Sequence, residues 1–421
     1  MRLLLCFLTL VLFSCAPVKE EGPSESEEAL RSWTHLSTVK GDLPTPGSST
    51  QQTASLVLDI DRDGVNDIVI ACRKAPPSMV WYRRGADGWA RSVIDSTTLP
   101  IEAGGAYYDI DQDGDLDIVM GADASGDKMW WWENPCPDFS ADVPWVRREI
   151  KSGGGKKHHD QMFGDFDGDS QVELVFWNQR AHKLFLADIP ADPANTEPWE
   201  YTQIYTWSPS AEPPAPYEMP RWAGKHSHEG LAKADIDGDG KLDIIGGGRW
   251  FKHVDGMAFK AHEIDPGQFF TRAAAGQLKK GGRPEVVFVV GDGVGPIMMY
   301  EWNGSEWTGR DLLGHDVDHG HSLQIIDLDR DGNLDIFCAE MRVNSENPDA
   351  KIYAFLGNDQ GHFKTVIVAD GYGNHETKAA DLDGDGDIDI LGKPYNWETP
   401  RLDIWLNRGK AFHGAAGIPF E

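Results

Sequence analysis

The chain has 421 residues, with 39 Lys and Arg against 68 Asp and Glu, and a formal charge of −29. That acid surplus argues against a nucleic-acid partner, which would need basic patches. Five cysteines, Cys6, Cys15, Cys72, Cys136 and Cys338, are too few and too scattered for a disulfide framework, and a chain of this length can build its core without one.

The chain opens with Met1-Arg2, an apolar run Leu3–Phe13, then Ser14-Cys15. The run is too short to span a bilayer and reads as a signal peptide over 1–14. Leu12-Phe13-Ser14-Cys15 resembles a bacterial lipobox. Cys15 is therefore expected to carry a lipid, exporting the protein and anchoring it to a bacterial envelope membrane. That anchor is the one membrane contact expected. Residues 15–31 are polar and acidic and form a tether without core-forming residues. Residues 32–421 form the folded body.

Through the body one pattern recurs six times: Asp-x-Asp-x-Asp-(Gly/Ser)-x-x-(Asp/Glu), each copy running into an apolar stretch. The acids at its positions 1, 3, 5 and 9 are Asp59, Asp61, Asp63 and Asp67 in the first copy, and Asp109, Asp111, Asp113 and Asp117 in the second. The third has Asp165, Asp167, Asp169 and Glu173, and the fourth Asp235, Asp237, Asp239 and Asp243. The fifth has Asp327, Asp329, Asp331 and Asp335, and the sixth Asp381, Asp383, Asp385 and Asp389. Hard oxygen ligands at this density suit Ca²⁺. Without a cation, two such charges about 4 Å apart repel by roughly 4 kcal/mol at an effective dielectric of about 20. An EF-hand would need Glu at position 12 between helices. Position 12 here is Ile70, Met120, Phe176, Gly246, Cys338 or Gly392, and the flanks look like strands. Up to six structural Ca²⁺ ions at strand turns are expected, and they would bring the formal charge from −29 to −17.

Successive copies start 50, 56, 70, 92 and 54 residues apart. The long gap holds a worn copy, Gln277-Leu-Lys279-Lys-Gly281-Gly282-Arg283-Pro-Glu285, in which the Lys279 ammonium is expected to stand in for the calcium. Seven units of this size fit a seven-bladed β-propeller. Each unit shows four strand-like runs: in the second, Ala103–Tyr108, Asp117–Gly121, Lys128–Trp132 and Trp145–Ile150. The seventh lacks its fourth run, and Trp33–Val39 has the look of the missing strand. The expected fold is all-β, a propeller closed by an N-terminal strand that removes an open sheet edge. With these loops the chain, over about residues 33–410, resembles the FG-GAP/VCBS-repeat family, which includes integrin α-subunit propellers and exported bacterial proteins. The resemblance implies the propeller and calcium and says little about activity.

The loops also serve as a ruler. The innermost strand of each blade should begin about six residues before the first Asp, at the opposite mouth of the central channel. His159, His321 and His375 stand at −6, Glu229 stands at −6 with His228 at −7, and Arg272 stands at −5 in the worn unit. Histidine is only 14 of 421 residues, so three among seven such positions is a surplus. Convergent imidazoles with nearby carboxylates suit Zn²⁺ or another transition metal, or acid–base catalysis. The ends of the second strands form another column, which includes Arg73, Arg249-Trp250, Arg342 and Tyr395-Asn396-Trp397. Cations alternating with aromatic rings suit an anionic sugar.

The expected activity is β-elimination on carbohydrate. One of His159, His321 or His375 would act as base, a metal or Arg249/Arg272 would stabilise the developing charge, and Tyr395 or another histidine would protonate the leaving oxygen. This reading is by analogy with propeller polysaccharide lyases and aldos-2-ulose dehydratases. The rival expectation is a non-catalytic surface protein that binds glycans or a partner protein. No Ser nucleophile elbow, phosphate loop or haem-attachment motif is present.

Overall fold

The structure, a computed structural model, describes residues 33–409 and 412, except 87, 141 and 219–226. The expected signal peptide, Cys15 and the tether lie outside the described residues. Seven four-stranded antiparallel sheets follow one another along the chain. The first blade comprises Gln51–Leu58, Asp67–Arg73, Met79–Gly85 and Gly88–Asp95. The seventh comprises Lys378–Ala380, Asp389–Gly392 and Asp403–Asn407, completed by the N-terminal strand Trp33–Ser37. Trp33 lies opposite Asn407, and Ser37 opposite Asp403, so the ring is closed by pairing the two ends of the described chain. Among the described residues no helix is long and apolar enough to cross a membrane.

The apolar runs after each loop are continuous because the second strand is covered on both faces. In Asp67–Arg73, Ile68, Ile70 and Cys72 pack with Leu391 and Ile404 of the seventh blade. Val69 and Ala71, pointing the other way, pack with Ile118 and Met120 of the second. Side chains alternate across a strand, so a sheet sandwiched between two neighbours needs apolar residues at every position. The core is therefore divided into layers between successive blades. Each buried Leu, Ile or Phe there contributes about 1.5–3 kcal/mol. Trp130-Trp131-Trp132 splits the same way, with Trp130 and Trp132 facing the first blade and Trp131 the third.

The first strand of the second blade is shorter than the sequence suggests, Ala106–Tyr108. Gly104 and Gly105 adopt φ of 97° and 112°, outside the strand region, and delay its start. First strands of adjacent blades are tied side by side. Gln324 Nε2 donates to Ala379 O at 3.2 Å while Ala379 N donates to Gln324 Oε1 at 2.8 Å. The residues just before the first strands thus surround one axis.

Candidate functional site

The six acidic loops share one hydrogen-bond plan. The position-6 amide donates to the first Asp in every copy, as Gly64 does to Asp59 at 2.9 Å and Ser170 to Asp165 at 3.1 Å. The position-7 amide donates to the third acid, as Val65 does to Asp63 at 2.9 Å. Position 6 is left-handed throughout, which explains its glycines; Ser170, at φ 73°, is the exception. The position-9 acid is buried and accepts the position-2 amide, as Asp335 does from Leu328 at 2.7 Å. It pins the strand turn to the loop.

The position-3 acids bear on a cation. Asp61, Asp237 and Asp383 each pair one oxygen with Arg83, Lys252 or Arg408. The other oxygen, Oδ1 in each, is buried without a hydrogen-bond partner. Several copies bring the acids at positions 1, 3 and 5, or 1, 3 and 9, to within 4.8 Å of one another. Orphaned carboxylate oxygens in a crowded acidic loop fit a hard divalent ion. Burial, with the neighbouring carboxylates, pushes Asp67, Asp243, Asp335 and Asp389 up to about 7, the direction expected of acids held together without a counter-ion.

The worn loop differs from expectation. Lys279 Nζ turns to Glu301 Oε1 at 2.5 Å, away from the loop. The Gln277 side-chain amide takes the inward place, donating to Lys279 O at 2.6 Å and Gly281 O at 3.2 Å. A neutral amide can donate to carbonyls that would otherwise face a metal, and Gln277 keeps the length to reach them.

At the opposite mouth, His159, Glu229 and His321 from the third, fourth and sixth blades converge. All three are buried, with ligand atoms within 4.8 Å of one another. His159 Nε2 lies 3.6 Å from Glu229 Oε2. His159 Nδ1 is bound to Asp160 Oδ2 at 2.6 Å, and His321 Nδ1 faces Glu376 Oε1 at 3.3 Å. His159 is thus oriented through Nδ1 by a carboxylate, as metal-binding histidines are, while His321 Nδ1 lies near Glu376 without a hydrogen bond. Both Glu229 oxygens are buried without a hydrogen-bond donor. Gly291 makes room for them: a Cβ there would sit 2.2 Å from Glu229 Oε1. Two imidazoles and a carboxylate with unsatisfied inward oxygens suit Zn²⁺ or another transition metal.

A second ring of charge supports the first. Arg272 bridges Asp160 Oδ1 at 2.7 Å and Glu376 Oε1 at 3.2 Å, and Lys378 Nζ reaches Glu376 Oε2 at 2.9 Å. Asp160 and Glu376 hold left-handed φ of 54° and 55°, a strained backbone that turns both carboxylates to the axis. Burial opposes ionisation of Asp160, but Arg272 and His159 hold it well below the usual carboxylate range. Burial likewise opposes the His159 charge, but Asp160 and Glu229 outweigh it and push the imidazole up to about 9. Burial raises Glu229, and the two histidines only partly offset it.

His375 completes the group. Its ring stacks on His321 at 4.2 Å, and Lys393 Nζ meets its Nδ1 at 3.2 Å. Burial, aided by His321 and Lys393, holds His375 far below its ordinary pKa, and burial brings Lys393 down to about 7. Tyr395 lies beside His375, ring centroids 5.1 Å apart, with its hydroxyl on Arg73 Nη2 at 2.5 Å. Burial raises its phenol.

Two expected members stand elsewhere. His228, one residue out of step, stacks on Trp207 at 4.0 Å and meets Trp177 edge-on, away from the axis. Arg249 is held by Glu212 Oε2 at 3.0 Å and Gly247 O at 3.0 Å, in the same aromatic corner. The cation–aromatic column folds largely onto itself: Arg342 and Arg401 both lie over Trp397, at 4.4 and 4.3 Å. The −6 positions alone do not identify Asp160, Glu376 and Lys393 as members. The −5 column, where Asp160, Arg272 and Glu376 alternate in charge, is the signal that finds the first two.

The FG-GAP-like repeat family matches residues 59–120 and 327–392, which hold the first two and last two acidic loops. No curated protein matches the chain. Among solved structures the chain is similar to AofleA from Arthrobotrys oligospora, at 11% identity and a TM-score of 0.41, over 80% of this chain and 90% of that one. It is also similar to the NanB sialidase from Streptococcus pneumoniae, at 11% identity and a TM-score of 0.38, over 87% of this chain and 70% of that one. The closed ring of blades makes this chain a seven-bladed β-propeller, two stretches of which match FG-GAP-like repeats.

Proposed function

We propose that this is an exported, lipid-anchored propeller, stabilised by up to six Ca²⁺ ions, that carries out β-elimination on carbohydrate at a transition-metal centre on its axis. The observation that carries the reading is the convergence of His159, Glu229 and His321, with both Glu229 oxygens lacking any donor. A bound Zn²⁺ or similar ion would supply Lewis-acid polarisation of a substrate oxygen.

With His159 and His321 as ligands, His375 is the histidine left to act as base. Its low proton affinity keeps the imidazole neutral, and Lys393, brought down to about 7, accepts the Nδ1 proton when it is the neutral amine, which leaves the lone pair on Nε2 to take a proton. In an elimination, His375 takes the proton beside a carboxylate or carbonyl of the sugar. The C–H electron pair forms the C=C bond, the neighbouring C–O bond breaks, and the leaving oxygen takes the Tyr395 proton. The raised Tyr395 phenol keeps that proton at neutral pH. Arg272 is engaged by two carboxylates and is read as a positioning residue, and Arg249 has no role at this site.

The burial of the centre favours a second reading, a non-catalytic protein that binds glycans or a partner and uses the axial site only to hold three blades together. Elemental analysis of purified wild type and of the His159→Ala/His321→Ala protein separates the readings when joined to an ultraviolet assay for unsaturated sugar products. Near-stoichiometric transition metal, lost in the variant together with product formation, is expected. Calcium as the only metal would overturn the metal centre. Metal without product from acidic or neutral polysaccharides would leave the non-catalytic reading.

A further inference from the structure

On the face that carries the acidic loops, away from the histidines, a groove of about 450 Å³ opens between the fourth and fifth blades. Its floor comes from the outer strands of the fourth blade, Arg249–Asp255 and Ala258–Glu263. Trp250 pairs with His262 across them, and the two rings stack at 4.4 Å with 17° between planes. Lys252 and Lys260 are the next pair on the same face. The opposite wall is the hairpin of the fifth blade, where Trp302 and Trp307 face each other and meet edge to face at 5.7 Å.

Arg283 stands between the walls, at position 7 of the worn loop. Its guanidinium lies 4.4 Å from the Trp302 ring and 5.9 Å from that of Trp250. Of the other arginines stacked on tryptophan, Arg148 binds Glu133, Arg342 the Gly371 carbonyl and Arg401 Asp403, while Arg84, like Arg283, lies over an indole, that of Trp89. Among the described residues no acceptor is bonded to the Arg283 guanidinium. Lys252 is paired with Asp237 and Asp239, and Asp237 and Glu263 also line the groove, so the Arg283 fork between indoles, with Lys260 nearby, is its main donor set.

We propose that this groove binds a sugar residue bearing a carboxylate or sulfate. The anion is held by the Arg283 fork, and the sugar's C–H face lies against Trp302 and Trp307. A guanidinium offers two parallel N–H bonds to such an anion, and the adjacent rings bury the apolar side of a pyranose. Stacking pre-orders the long arginine side chain, so less freedom is lost on binding. The site is separate from the axial centre and does not depend on its chemistry.

The test is calorimetric titration of the full chain, in calcium, with three probes: an oligogalacturonate, a sulfated galactan oligosaccharide and a neutral galactan oligosaccharide. At least one anionic probe is expected to bind, and the neutral one at least about tenfold more weakly. The preferred anion decides between carboxylate and sulfate. Arg283→Gln and Trp307→Ala should each weaken that binding by about tenfold or more with the axial metal content unchanged; the melting midpoint is unchanged in Arg283→Gln and falls in Trp307→Ala, whose ring packs on the core between the two blades. Absence of binding by both anionic probes, equal binding of the neutral one, or unaltered affinity in both variants would overturn the proposal.

Discussion

Arg272 grips Asp160 with two parallel bonds, Nη2 to Oδ1 at 2.7 Å and Nη1 to Oδ2 at 2.9 Å, and the same Oδ2 holds His159 Nδ1 at 2.6 Å. An arginine from the fifth blade therefore fixes the carboxylate that orients a histidine from the third. Replacing Asp160 by Asn should lower transition-metal affinity about 10–100-fold, read by competition with a chromophoric chelator. Arg272→Leu removes the guanidinium shared by Asp160 and Glu376, leaving Asp160 to His159 and the Gly230 amide and Glu376 to Lys378 and His321, and should cost about 3–5 kcal/mol in urea unfolding. An unchanged affinity in Asp160→Asn would mean that His159 is not a ligand.

Calcium removal should destabilise the whole ring, because the loops of different blades are linked. Lys241 Nζ binds Asp167 O at 2.8 Å, and Asn66 Nδ2 binds Asp381 O at 2.8 Å. Each occupied site adds about 2.7 kcal/mol when free calcium is about 100 times its dissociation constant. Scanning calorimetry with and without a calcium chelator measures this. Coincident melting curves would show that the loops stand without metal.

Ser170 is the one non-glycine residue at position 6 of a loop, at φ 73°. Its side chain strains a left-handed backbone at a cost of about 1–2 kcal/mol, part of which glycine returns as chain entropy in the unfolded state. Ser170→Gly should stabilise the protein by roughly 0.5–1 kcal/mol in excess calcium. A lower melting midpoint would show that the Ser170 side chain has a compensating contact.

Lys151 is buried beside Tyr201, with Gly153 O and Asp127 O as acceptors. Burial brings its pKa down to about 8, and Asp127 only partly offsets this. The folded state thus binds fewer protons than the unfolded chain between about pH 8 and 10.4. Stability from this group should rise with pH across that window, by at most about 1.4 kcal/mol per unit, and stay flat below it. The difference in urea midpoint between wild type and Lys151→Met isolates the effect. A difference independent of pH from 8 to about 10.5 would remove Lys151 as its source.

The sequence by itself determined the blade count, the acidic loops and the closing strand, because each is local. Carboxylates two residues apart, a left-handed glycine and an apolar run after it need no distant partner to be recognised. The ruler also carried His159, Glu229, His321 and His375 to one mouth, since equal offsets on equivalent strands lead to one axis. Only the tertiary structure decided which neighbours turn inward. His228 and Glu229 are adjacent in sequence, yet the backbone leading into the strand Ala232–Ala234 sends one to Trp207 and the other to the axis. Gln277 rather than Lys279 reaches the loop carbonyls, because Glu301, on the third strand of the same blade, offers the ammonium a carboxylate. The groove around Arg283 depends on two blades facing each other, and the placing of Arg283 between Trp250 and Trp302 is long-range packing that no local spacing encodes.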